Sequence, residues 1–356
     1  MTRPWLWPIL FLVAALLPHA IPAQAAEPQR IVAVGDLHGD HDAWRAIARA
    51  SGIMDAKGRW GGGKTVLVQM GDIVDRGPQS LRIIRDLMSL QREARRKGGQ
   101  VYVLVGNHEA MMMTGDMRYA TPGEIAAFAD RNSERRRGAV YEANKVAIEA
   151  AYRARTPGMA AKAIRAAWLA TMPLGMVEYQ AAWLPDGELG RWELQNRAVL
   201  RLGDTLFVHG GISAAYASMS VDDINRRVSE ALRARDQSPT SIINDPHGPL
   251  WYRGLVTRSG DDETTVPAPT ATTARPLTID QEIDFVTRAQ GVKRIVVAHT
   301  PSLTGIIAAD GGRLWRTDSG NSRAYGGTPS YLEIVGNRVS AHAVARPAGL
   351  SWGGQR

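Results

Sequence analysis

Short apolar runs, each closed by a cluster of Gly, Asp, Asn or His, alternate along the chain with stretches of helical periodicity. Residues 31–34, 65–70 and 101–105 read as buried strands. Between them, residues 42–51 have a helical pattern with Gly52 as the stop, and residues 78–97 place Leu81, Ile84, Leu87 and Met88 on one face. Arg95, Arg96 and Lys97 fall in the last turn of that second helix, where cations favour the macrodipole, and Gly98-Gly99 ends it. A strand-helix-strand-helix-strand series of this kind predicts parallel strands joined by right-handed crossovers.

The pattern changes over residues 114–200, which are rich in Ala and Arg and poor in β-branched runs, and a helical insert is expected there. Thr121-Pro122-Gly123-Glu124 has the form of a capping box with Pro at the first helical position. Further helices are expected near 140–155 and 159–171. The three methionines at 111–113 read as core packing after His108, and Arg131, Arg135, Arg136 and Arg137 as a solvated helix face. From residue 199 the β pattern returns, with a capped helix over 220–235, a surface loop over 259–276, a helix over 278–290 and a strand over 292–298. Two hairpins follow, 305–318 turning at Asp310-Gly311-Gly312 and 331–344 turning at Gly336-Asn337. The fold class is α/β.

Composition narrows the chemistry. The 356 residues hold enough apolar side chains for a sizeable core and no cysteine, so thiolate catalysis, thiolate metal ligation and disulfides are excluded. The net charge of +8 is spread out, and no aromatic platform or recognition motif points to nucleic acid. Residues 1–25 stand apart, with Arg3 ahead of an apolar stretch and Ala23-Gln24-Ala25 as a small-residue cleavage site; this is a secretory signal peptide in form. Its apolar stretch is shorter than the roughly 20 residues of a membrane span. An exported, periplasmic protein with no stable span after cleavage is expected, with residues 29–356 as the mature domain and an uncleaved N-terminal anchor as the alternative.

The strand ends carry the candidate site. Asp36 and His38 follow the first strand, Asp72, Asp75 and Arg76 the second, and Asn107 and His108 the third; His209 and His299 end later strands. In open α/β sheets, side chains just past the carboxyl ends of strands share a crevice, so these distant residues are expected to meet. Taken singly, each is an ordinary hydrogen-bonded loop residue. Together, Asp36, His38, Asp72, Asn107, His209 and His299 form a mixed oxygen and nitrogen donor set suited to two divalent cations, with one carboxylate bridging.

Gly35-Asp36-Leu37-His38-Gly39, Gly71-Asp72-Ile73-Val74-Asp75-Arg76-Gly77, Gly106-Asn107-His108-Glu109, His209-Gly210-Gly211, Arg253-Gly254 and His299, in that order, resemble the phosphoprotein phosphatase family of calcineurin-like metallophosphoesterases. The stretch 106–128 further resembles the bacterial-type Shewanella-like protein phosphatases. The resemblance implies a central β-sandwich flanked by helices. It also implies that Asp36, His38 and Asp72 hold one metal and Asp72, Asn107, His209 and His299 a second, with Mn²⁺ or an Fe/Zn pair as the ions. Arg76, Arg253 and Asn107 would contact the phosphate, His108 would protonate the leaving oxygen, and Asp75 would hold its ring.

The function implied is hydrolysis of a phosphorylated protein, a peptide or a small phosphomonoester by in-line attack of a metal-bridging hydroxide. Two alternatives stand beside it. A dinucleoside polyphosphate hydrolase shares much of the donor set, although Asp75 and Glu109 within complete motifs favour the phosphatase. A non-catalytic metal-binding module would be expected to have lost a ligand, the acid or a phosphate arginine, and none is missing.

Overall fold

The structure is a computed structural model that describes residues 29–258 and 277–346. The expected signal peptide and the loop expected over 259–276 lie outside the described residues. The chain opens with β1 (Arg30–Val34), α1 (His41–Ala50), β2 (Val66–Gln69), α2 (Ser80–Arg96) and β3 (Gln100–Val103), as the apolar periodicity requires. Helix α1 starts where Asp40 accepts a hydrogen bond from the Ala43 N–H at 3.0 Å, and it buries Trp44, Ile47 and Ala48.

Helix α3 (Asn107–Thr114) precedes the insert, whose elements are all helical: α4 (Pro122–Ala126), α5 (Ser133–Arg155), α6 (Ala161–Thr171), α7 (Met176–Trp183) and α8 (Glu188–Glu193). Helix α5 begins seven residues before the expected position, because Arg135, Arg136 and Arg137 are good helix formers that continue the helix backwards. Helices α7 and α8 were not anticipated; both are too short for a periodic signature. Met111, Met112 and Met113 are all buried in the main core, as expected. Of the arginine cluster, Arg136 pairs with Asp130 and Glu178, and Arg137 donates to the Met172 carbonyl.

The second half runs β4 (Val199–Leu202), β5 (Thr205–Val208), α9 (Val221–Ala234), α10 (Ile279–Gln290), β6 (Arg294–Val297), β7 (Ile307–Ala309), β8 (Leu314–Arg316), β9 (Ser330–Val335) and β10 (Arg338–Ala343). Ser220 caps α9, and Thr278 with Gln281 forms a reciprocal capping box on α10. Both expected hairpins form, with β7 antiparallel to β8 and β9 antiparallel to β10.

Two five-stranded mixed sheets result, in the orders β10-β9-β1-β2-β3 and β4-β5-β6-β8-β7. The β1–β2 and β2–β3 pairs are parallel, as the crossover argument predicts. Alternation along the strands divides the core in two. Ile31, Ala33, Val66 and Val68 pack with Leu200, Phe207 and Val296 of the other sheet. Val32, Val34 and Leu67 belong instead to the larger cluster that includes the helices. The sheets therefore form a sandwich with helices outside it, and the carboxyl ends of β1, β2, β5 and β6 converge at one edge.

Candidate metal and phosphate site

Backbone hydrogen bonds lock the first two loops together, and one buried carboxylate ties in the third. The Leu37 and His38 N–H groups both donate to the Asp72 carbonyl, at 2.9 and 3.0 Å, and Gly39 N–H donates to Ile73 at 2.8 Å. The buried Glu109 carboxylate ties the second loop to the third. It accepts from the N–H groups of Asp72 and Ile73 at 2.8 Å, of Gly106 at 3.0 Å and of Val74 at 3.2 Å. Glu109 marked the reading in the sequence, but its task, satisfying four buried donors, is visible only in the fold.

Asp72 sits at the centre. Its Oδ1 accepts from the His108 N–H at 3.0 Å. Its Oδ2 lies 3.3 Å from His209 Nε2, 3.7 Å from His38 Nε2 and 3.9 Å from His108 Nε2. Asp36 approaches from the other side, 3.9 Å from both His38 Nε2 and His209 Nδ1. Asn107 Oδ1 is 3.0 Å from His209 Nε2, and the His209 and His299 rings lie 5.0 Å apart. Asp36, His38, Asp72, Asn107, His209 and His299 are all brought together and all buried.

Side-chain chemistry tests whether this set suits cations. His209 Nδ1 lies 2.8 Å from the Met70 carbonyl and His38 Nδ1 2.9 Å from that of Val74, so in each ring Nδ1 carries the proton and Nε2 an outward lone pair. Those lone pairs face carboxylate and amide oxygens, and His299 Nε2 is buried without a hydrogen-bond partner. Electron-rich atoms gathered in this way, with second nitrogens tied to carbonyls, fit divalent cations. Two overlapping groups bring their ligand atoms within 4.8 Å of one another: His38, Asp72 and His108, and Asp72, His209 and His299. Asp72 belongs to both.

The electrostatics follow from crowding. Burial pushes His38 down to about 3 and, with the neighbouring His209 and Arg253, holds His299 well below the usual histidine range. Burial, then Asp318 and Asp72, raise Asp36. Burial opposes charge on Asp72 too, but the facing His209 and His108 hold its carboxyl well below the ordinary value. His108 is raised; burial works against its charge and is outweighed by Asp72 and by Asp75, whose Oδ2 lies 2.6 Å from His108 Nδ1.

Arg76 and Arg253 flank this centre. Arg253 donates to the His299 carbonyl at 2.8 Å and to Thr300 Oγ1 at 3.1 Å. The Arg76 guanidinium lies 4.5 Å from the Tyr119 ring and 5.3 Å from the Tyr325 ring, and its buried Nε has no partner. The backbone is strained here: His38, Asp72, Asp75, Arg76 and His299 are five of the seven non-glycine residues with positive φ among the described residues. Each such residue costs about 1–3 kcal/mol, and strain of this kind clusters at functional sites.

Sequence reasoning passed over Asp318, Tyr119 and Tyr325, and read Glu124 only as a helix-capping residue. Asp318 follows the end of β8 in the run Asp318-Ser319-Gly320-Asn321, so the strand-end rule applied once more would have found it; burial raises its carboxyl to about 6. The two tyrosines carry no comparable signal, and the capping-box spacing of Glu124 says nothing of a partner outside its own helix.

Comparison with known proteins adds an independent observation. The family model described as calcineurin-like phosphoesterase matches residues 29–303. The chain is 30% identical over 321 residues to Shewanella-like protein phosphatase 2 of Arabidopsis thaliana, covering 86% of this chain and 75% of the relative. It is 27% identical over 326 residues to an uncharacterized protein of Schizosaccharomyces pombe, covering 89% and 80%. Among solved structures, a cold-active protein-tyrosine phosphatase of a psychrophilic Shewanella species superposes with a TM-score of 0.60 at 24% identity, covering 89% of this chain and 81% of that one. That last likeness concerns the fold.

Proposed function

The chain belongs to the calcineurin-like phosphoesterase family and is a hydrolase of phosphoric esters, and from this premise we propose that its substrates are phosphorylated proteins or peptides, on Tyr, Ser or Thr. The resemblance to Shewanella-like protein phosphatases over 86% of the chain supports a phosphoprotein or phosphopeptide. Export directed by residues 1–25 to the periplasm is part of the same proposal.

Asp36, His38 and Asp72 would hold one divalent cation and Asp72, Asn107, His209 and His299 a second, with Mn²⁺ or an Fe/Zn pair as the ions. When bound, such a pair supplies Lewis acidity, lowering the pKa of a coordinated water and neutralising phosphate charge. The chain's own residues do the rest. Arg76 and Arg253 offer planar forked donors to the phosphate oxygens, and Asn107 offers its amide. Water attacks phosphorus in line as the ester oxygen departs. His108 gives that oxygen a proton while Asp75, 2.6 Å from the other ring nitrogen, fixes the tautomer and orientation.

The observation that carries this reading is the Asp75–His108 pair set against the Asp72 centre, an acid poised beside a gathering of donor atoms. The test is phosphate release from phosphotyrosine, phosphoserine and phosphothreonine peptides, with a diadenosine polyphosphate alongside, using protein lacking residues 1–25 and supplied with Mn²⁺. Metal-dependent release from peptides supports the proposal. Turnover of the dinucleotide alone would replace it with a polyphosphate hydrolase, and no turnover of any compound would leave a binding module.

A further inference from the structure

Thr121 and Glu124 are spaced as a capping box, and the forward half forms, with Thr121 Oγ1 accepting from the Glu124 N–H at 3.2 Å. The carboxylate does something else. Its Oε1 accepts from the N–H of Asp75, 49 residues away, at 3.1 Å. Two more hydrogen bonds join the same segments: Arg76 N–H donates to the Tyr119 carbonyl at 3.0 Å, and Thr121 Oγ1 donates to the Gly77 carbonyl at 3.4 Å. Three consecutive residues of the site loop are thus each tied to residues 119–124 of the insert.

The loop needs such a tie. Asp75 and Arg76 are adjacent non-glycine residues at φ 68° and 64°, a left-handed pair that L side chains disfavour and that a free loop would leave. Their side chains do different work from that turn, Asp75 on His108 and Arg76 between two tyrosine rings. Relaxing either φ would turn the carboxylate away from His108 and the guanidinium out of the site. Glu124 is 1% exposed, a burial that opposes its charge and that helix capping does not require.

We propose that Glu124 is a positioning residue for the phosphatase reaction: by accepting the Asp75 N–H it holds the Asp75–Arg76 turn that aims the acid's partner and the phosphate-gripping arginine. The inference rests on the phosphatase reading given above.

The test compares Glu124→Gln, which keeps the acceptor oxygen, with Glu124→Met, which fills the space without one, in the full chain supplied with Mn²⁺ at neutral pH. An aryl and an alkyl phosphomonoester are the substrates, and amide hydrogen exchange over residues 70–79 is followed in parallel. Expected are a Gln variant within about threefold of the parent on both esters, and a Met variant with kcat lowered about tenfold or more on the alkyl ester and less on the aryl one. Exchange over residues 70–79 should quicken in the Met variant alone. Where Glu124→Met does not fold, Glu124→Ala takes its place. A Gln variant impaired as much as the Met variant, or unchanged turnover and exchange in the Met variant, would overturn the positioning role. A parent chain inactive on both esters would instead remove the phosphatase reading, and this inference with it.

Discussion

As the proposed general acid, His108 should matter in proportion to how poorly the departing oxygen bears negative charge. A tyrosine phenol has a pKa of about 10, far below that of an alkyl alcohol, so it leaves with little help. His108→Ala should therefore lower turnover of a phosphoserine peptide by about 10²–10⁴, the usual range for a general acid, and of a matched phosphotyrosine peptide much less. Steady-state kinetics on the two peptides checks this, and equal losses would remove His108 as the acid. Glu124 makes a second prediction at this scale. Burial, with Asp75, raises its carboxyl to about 8, so the folded chain holds a proton that the unfolded chain releases near the ordinary carboxyl value. Its contribution to stability is then largest below about pH 4 and falls as pH rises toward 8. Thermal melting from pH 5 to 8.5 should show Glu124→Gln gaining on the parent as pH rises, and parallel curves would contradict the assignment.

Helix α3 shows how one element carries several tasks. Its first residues, Asn107 and His108, reach the site because Gly106 lets the backbone pass against the second loop. A Cβ at Gly106 would lie 2.3 Å from Asp72 Oδ1 and 2.6 Å from Glu109 Oε2, with the Asp72 nitrogen 2.4 Å away. Gly106→Ala must therefore displace both carboxylates, at a cost of about 1–3 kcal/mol from overpacking. The expected outcome is a lower melting temperature together with near-complete loss of turnover, read by calorimetry and phosphate release. A well-folded, fully active variant would contradict the close approach of Gly106 to the two carboxylates. The motif around Gly106 was legible in the sequence, as were the strands and capped helices near it, because each depends on neighbours a few residues away. Helices α7 and α8 were not, since two turns give periodicity too little length to register.

At the scale of the whole molecule, the donor set joins the two sheets. His209 and His299 follow strands of one sheet, and Asp36 and Asp72 follow strands of the other. Cations bound across that seam stabilise the folded chain only, by about 2.7 kcal/mol for a ligand at a hundred times its dissociation constant. Chelation should then lower the melting temperature by several degrees, with recovery on adding Mn²⁺. A melting curve indifferent to chelator and metal would argue against occupancy of the proposed site. Among the described residues, no helix is long and apolar enough to cross a membrane.

Apart from α7 and α8, the order of strands and helices, the parallel start, the hairpins at the end and the residue types available for the site were determined by the sequence alone. Alternation, capping residues and glycine stops act locally, so they can be read locally. Tertiary structure decided what Glu124 binds, that Glu109 serves four backbone donors, that Tyr119 and Tyr325 enclose Arg76, and that Asp318 stands beside Asp36. Apart from the Glu109 bond to Gly106, each of these joins segments tens or hundreds of residues apart. A side chain's partner across such a distance is set by how the sheets and the insert pack, which nothing in its own neighbourhood encodes.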